Sequence, residues 1–170
     1  MEMEQVGRIA EEFATGAPVK EVSPIGGGLI NDSYRVVCEN GAGYVLQKIN
    51  HAVFKDVALL QKNIECVTAH IRAKLEAAGA DGIERKVLEF IPLKDSSKTY
   101  FFDGESYWRV SRFIEGSVTV ETVTPDSSYC AGKAFGEFQS MLVDMKEEIG
   151  ETIPDFHNME LRARQLKDAV

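Results

Sequence analysis

The sequence of 170 residues has no run of Lys and Arg, no apolar stretch of membrane-spanning length, no CxxC and no internal repeat. Each absence excludes something. Nucleic acids and anionic membranes need a clustered basic face, whereas this chain carries a formal net charge of -8 and a pI near 5.0. No nucleic-acid or membrane partner is expected, and small molecules or proteins are expected instead. The first residues, MEMEQVGRIAEEF, are acidic and amphipathic where a secretory leader is basic and then uniformly apolar. The expected compartment is therefore the cytoplasm. Cys38, Cys66 and Cys130 are odd in number and widely spaced, which suits neither a disulfide framework nor a zinc site.

An apolar content of 44% can supply a core. Val6, Ile9, Ala10 and Phe13 recur at helical spacing and predict a short opening helix. A strand is expected from Lys20 to Ile25. Ser33–Cys38 and Tyr44–Ile49 are rich in β-branched and aromatic residues and flank an Asn40-Gly41 hairpin turn. Val57, Leu60, Ile64, Val67, Ile71 and Leu75 trace one apolar stripe, which predicts a long helix from Asp56 to Ala78. Lys86–Ile91, Thr99–Phe102 and Tyr107–Ile114 read as further strands around an Asp103-Gly104 turn. After Gly116 the character becomes helical: Pro125 opens a segment whose Ala131, Phe135, Phe138 and Leu142 share one face.

The segment PIGGGLINDSYRV places Gly26, Gly27 and Gly28 between two strands. Consecutive bare N–H groups can cradle a phosphate, and glycine lets the main chain approach it with no Cβ in the way. For the three glycines taken alone, an ordinary glycine-rich turn or bulge is the better account. Neither G-x-G-x-x-G nor G-x-x-x-x-G-K-[ST] is present, so the strand-to-helix phosphate loops are excluded.

The order of glycine hairpin, strand, long helix, strands, linker and helix resembles the amino-terminal lobe of the protein-kinase-like phosphotransferases, nearest the aminoglycoside phosphotransferase and choline kinase family. GGGLINDSYRV, YVLQKINHAVFKD, KNIECVTAH and FIEG are similar to its N-acetylhexosamine 1-kinase type. The resemblance implies an α+β fold, with an antiparallel sheet of about five strands and a long helix. Residues 1–116 would form the kinase-like N-terminal lobe, and residues 117–170 a linker and the start of an incomplete helical C-terminal lobe. The implied function is ATP-dependent phosphorylation of a sugar hydroxyl. The alternatives are a choline, homoserine or aminoglycoside kinase, a nucleotide-binding module without chemistry, and a scaffold that binds no nucleotide.

Carried onto matching positions, the resemblance puts Gly26, Gly27 and Gly28 over the ATP phosphates with Asn31 beside them, unless Asn31 only satisfies its own turn. The family places a cation on the third strand and pairs it with a helix Glu. Strand alternation sets Val45 and Gln47 on the cleft face, Val45 against adenine, and Lys48 on the other. Gln47 and Asn63 are then expected to form an amide substitute for the ion pair, with Lys48 and Glu65 as solvated charges; a Lys48–Glu65 pair is the competing assignment. At the hinge, the Arg112 carbonyl and the Ile114 N–H would meet the adenine, with Ser111 behind it.

No catalytic or metal-binding residue is assigned within the chain. FHNME lacks the Asp of an H-x-D loop, so His157, like His51 and His70, is expected at the surface or in packing, and Asp144 and Asp155 precede any catalytic strand. Mg²⁺ ligands and the sugar site are expected outside this chain, the chain alone is expected to be inactive, and self-association through an exposed inter-lobe face is expected.

Overall fold

In a computed structural model of the protein, residues 3–26 and 28–170 are described. Helix α1 (Met3–Ala10) precedes three strands, β1 (Val19–Ile25), β2 (Asp32–Cys38) and β3 (Gly43–Ile49). The turn between β2 and β3 is the one the sequence predicts: the Gly41 N–H donates to the Cys38 carbonyl at 2.9 Å, and Asn40 Oδ1 accepts the Ala42 N–H at 3.0 Å. Helix α2 (Val57–Ala77) starts where Asp56 accepts the Leu59 N–H at 2.8 Å, one of the donors a helix leaves unpaired at its start. A 3-10 turn (Ile83–Arg85), β4 (Phe90–Ile91), β5 (Phe101–Phe102) and β6 (Tyr107–Arg112) follow. The chain continues through α3 (Pro125–Leu142), capped by Thr124, and α4 (Met159–Ala169).

All six strands are antiparallel in the order β1-β2-β3-β6-β4, with β5 also paired to β6. This is the α+β, kinase-like N-lobe fold expected from the sequence, with one strand more than the five anticipated. Side chains of directly paired residues share a face. One face carries Val36, Tyr44, Leu46, Trp108 and Val110 and is covered by Val6, Ile9 and Ala10 of α1 together with Phe13. Trp108, Phe13 and Leu46 are fully buried, and burial of each such side chain is worth about 1.5–3 kcal/mol. A second, smaller core joins Ile71 and Leu75 of α2 to Val87, with Met141 and Leu142 of α3 against it.

Four expectations are corrected. The strand anticipated over Lys86–Ile91 is reduced to Phe90–Ile91, because Lys86 and Val87 donate their N–H groups back to Ile83 and Val87 turns into the second core. Pro92, with no N–H, prevents its extension. The strand over Thr99–Phe102 likewise shrinks to Phe101–Phe102, and β6 stops at Arg112. In α2 the side chain most deeply buried is Gln61, not the neighbouring Leu60 of the apolar stripe. The predicted apolar face of α3 forms, but Phe135 and Phe138 remain 71% and 44% exposed. No helix among the described residues is long and apolar enough to cross a membrane.

Candidate functional site

The last residue pair of β1 and β2 before the glycine turn is Ile25–Ser33, and the register continues that row through Gln47 of β3 to Arg109 of β6. The row is polar and joined. Gln47 Nε2 donates to Ser33 Oγ at 3.1 Å, and Arg109 Nε donates to Gln47 Oε1 at 3.1 Å. Two residues along the strands on the same face lie Arg35, Val45, Ser111 and Phe90. Thus the half-buried Val45 and the buried Ser111 sit side by side between the polar row and the hinge.

The turn above this row is closely built. A Cβ on Gly28 would lie 2.7 Å from the Asn31 carbonyl oxygen, so the chain can fold back there only without a side chain. Gly26 has open space around it, and Gly27 lies outside the described residues. Asn31 Oδ1 accepts the Asn50 N–H at 2.9 Å and fastens the turn to the end of β3; among the described residues its side chain makes no bond within its own turn.

The expected amide substitute is not formed. Asn63 uses both ends of its side chain on Gly150, donating to its carbonyl at 2.7 Å and accepting its N–H at 3.1 Å, while Gln47 is bonded to Ser33 and Arg109. The competing Lys48–Glu65 pair is not formed either. Lys48 is half-buried on the opposite face, its Nζ 5.9 Å from the Trp108 ring centroid, and Glu65 accepts a hydrogen bond from the Thr99 hydroxyl. Lys48 is therefore not the solvated charge that was expected.

What the sequence reading missed is Arg109. Its guanidinium stands next to Gln47, on the row where a cation was sought, but it comes from β6. Its position relative to Gln47 depends on the β3–β6 register, which alternation along one strand does not reveal. Arg109 also lines a cavity of about 330 Å³ between α2 and the sheet, with Asn63, Val67, Thr68 and Phe90. Burial pushes the pKa of its guanidinium down from the ordinary value, since desolvation disfavours the charged form.

The hinge is held by three arginines. Arg112 donates through its main-chain N–H to the Glu89 carbonyl at 2.9 Å and through Nε to the Glu89 carboxylate at 2.9 Å. That side-chain bond keeps the Glu89 carboxyl below the usual carboxylate range. Arg35 lies over the Phe113 ring, 3.4 Å from its centroid, and pairs with the Glu115 carboxylate at 2.6 Å; Arg85 donates to the Glu115 carbonyl at 2.6 Å. The Ile114 N–H, one of the two main-chain groups singled out in the sequence, donates to no described protein group. Among the described residues no cluster of three or more His, Cys, Asp or Glu could hold a metal ion, so no side chain is given that role. His70 bonds to the Met141 carbonyl at 3.0 Å and to Asp144 at 3.3 Å, joining α2 to the end of α3.

No protein-family model matches the sequence. Among solved structures, the chain is similar to a spectinomycin phosphotransferase determined in complex with ADP and spectinomycin, at 15% identity and a TM-score of 0.52 over 86% of this chain. The match spans 39% of the length of that enzyme, and at this identity the likeness is one of fold.

Proposed function

We propose that residues 1–116 form the nucleotide-binding lobe of an ATP-dependent phosphotransferase, with residues 117–170 as linker and opening helices of its second lobe. The observation that carries this reading is the joined Ser33–Gln47–Arg109 row one residue pair in from the glycine turn, on the same sheet face as Val45 and Ser111. A nucleotide with its adenine near Val45 and the hinge, at the Arg112 carbonyl and the Ile114 N–H, would extend its phosphates toward that row and under Gly26–Gly28. The fold likeness to an enzyme crystallised with ADP supports the same ligand class.

The acceptor we propose is a sugar hydroxyl, as in the N-acetylhexosamine 1-kinase type suggested by GGGLINDSYRV and FIEG. In that reaction the bond from the γ-phosphorus to the ADP oxygen breaks, a bond to the sugar oxygen forms, and the hydroxyl proton passes to a base in the second lobe. Mg²⁺, which would neutralise phosphate charge, takes its ligands outside these 170 residues, and the proposed compartment is the cytoplasm. An aminoglycoside-type acceptor is the second reading, favoured by the substrate of the structural neighbour. Calorimetric titration with ADP tests the nucleotide site, and ADP at a hundredfold excess over its Kd should stabilise the fold by about 2.7 kcal/mol. Absence of both binding and stabilisation would remove the proposal. An ATP-dependent assay of the full-length protein against N-acetylated hexosamines, aminoglycosides and choline decides among acceptors. The exposed Phe135 and Phe138 of α3 support self-association, which sedimentation would detect as a concentration-dependent mass.

A further inference from the structure

We infer that Arg109 is the cation that meets the nucleotide phosphates, and that Gln47 is its positioning residue. The inference rests on the nucleotide-binding reading above and departs from an arrangement in which β3 itself supplies the charge. Four observations carry it. First, the guanidinium has no carboxylate partner among the described residues, in a chain with 27 acidic residues to 19 basic ones. A half-buried cation left without a counter-charge is unfavourable, and an anionic ligand would remove that cost.

Second, its hydrogen-bonding capacity is mostly unspent. Nε is bonded to Gln47, Nη1 is buried with no partner, and Nη2 makes no hydrogen bond among the described residues. The Nη N–H groups are therefore unspent, and a phosphate oxygen is the kind of acceptor they suit. Third, Gln47 is itself held by Ser33, so the chain of bonds across three strands fixes the direction of the guanidinium. Phe90, with its ring centroid 5.4 Å away, supports the cation but supplies no acceptor for its N–H groups. Fourth, the row lies one residue pair from the glycine turn, where phosphates are proposed to sit.

The neutral residue at position 47 thereby has a reason. A lysine beside Arg109 would set two like charges on adjacent strands, whereas the glutamine amide offers its oxygen to Arg109 and its N–H to Ser33.

Calorimetric titration of the 170-residue chain with ADP and with adenosine tests this. Arg109→Met should weaken ADP binding by at least about tenfold, the size of a lost charge-assisted phosphate contact, with adenosine binding unchanged. Gln47→Glu provides an independent arm: a carboxylate against Arg109 neutralises it, so the melting temperature should rise while ADP affinity falls, a divergence that a purely structural role does not produce. Equal losses for ADP and adenosine in Arg109→Met, or wild-type ADP affinity in either variant, overturns the inference and leaves the nucleotide site standing. Failure of the unmodified chain to bind ADP overturns both.

Discussion

Asn63 and Gly150, 87 residues apart in sequence, form a reciprocal pair in which one side-chain amide satisfies both main-chain groups of the glycine. The segment after α3 is thereby attached to α2. Lys74, 2.6 Å from Asp144 and 3.0 Å from the Met141 carbonyl, makes a further attachment about three turns along the helix. Replacing Asn63 by Asp keeps the shape but turns the donor toward Gly150 into a second acceptor facing its carbonyl. The expected loss is about 1–3 kcal/mol of stability, with faster hydrogen exchange around Gly150; an unchanged exchange pattern would contradict it.

A second prediction concerns Asp103, which opens the β5–β6 turn. Its carboxylate accepts the N–H groups of Ser106 at 2.7 Å and Glu105 at 2.9 Å and the buried Trp108 indole at 2.7 Å. Burial pushes its pKa up, but these three donors, with Lys48 nearby, overcome that and hold it below the ordinary value. A lowered folded-state pKa means stability that is present above the ordinary aspartate value of 3.8 and is lost as pH falls through the folded value. Asp103→Asn should therefore destabilise the fold at pH 7, by about 1 kcal/mol at most because the carboxylate is largely solvated, and distinctly less in acid. Urea unfolding of both proteins at neutral and acidic pH measures this, and a pH-independent difference would count against it.

Gly43 tests the packing of the hinge. A Cβ there would lie 2.9 Å from Arg35 Nη2 and 3.0 Å from Glu115 Oε1, so alanine must push the guanidinium off Phe113 and Glu115. Both atoms are the ends of flexible side chains, so the expected cost is at most about 1 kcal/mol. Once Arg35 has been replaced by Ala, the same change at Gly43 should cost almost nothing, which a double-mutant cycle by thermal melting checks.

Gln61 is 1% exposed, and neither end of its amide has a partner among the described residues. Methionine has a similar shape and no such need. Gln61→Met should therefore stabilise the chain by about 1–3 kcal/mol in chemical denaturation; a loss of stability would show that the amide is satisfied in solution.

Where the decisive contacts are local, the sequence was legible. Asp56 and Pro125 announce their helices through the unpaired N–H groups of a first turn, and Asn40-Gly41 through the backbone angles glycine can reach. Alternation along β3 separated Gln47 from Lys48, and the structure does place them on opposite faces. Local signals could not show what Gln47 faces across the sheet, because Arg109 is 62 residues away and only the strand register brings the two together. The same holds for Asn63, whose hydrogen-bond partner Gly150 lies in a distant loop and not on β3. At Lys86–Glu89 the β-like composition was overridden by main-chain bonds back to Ile83 and by the burial of Val87.

Glu115 is fixed at both ends, its carboxylate by Arg35 and its carbonyl by Arg85. It is followed by Gly116 at a φ of +71° and by residues 117–123, which are exposed and belong to no helix or strand. At its far end this stretch leads into α3, whose Met141 and Leu142 pack on α2 and whose following loop is bonded to Asn63. Residues 117–123 are therefore a strap between two fastened ends, with the main-chain groups of Arg112 and Ile114 just before its first anchor.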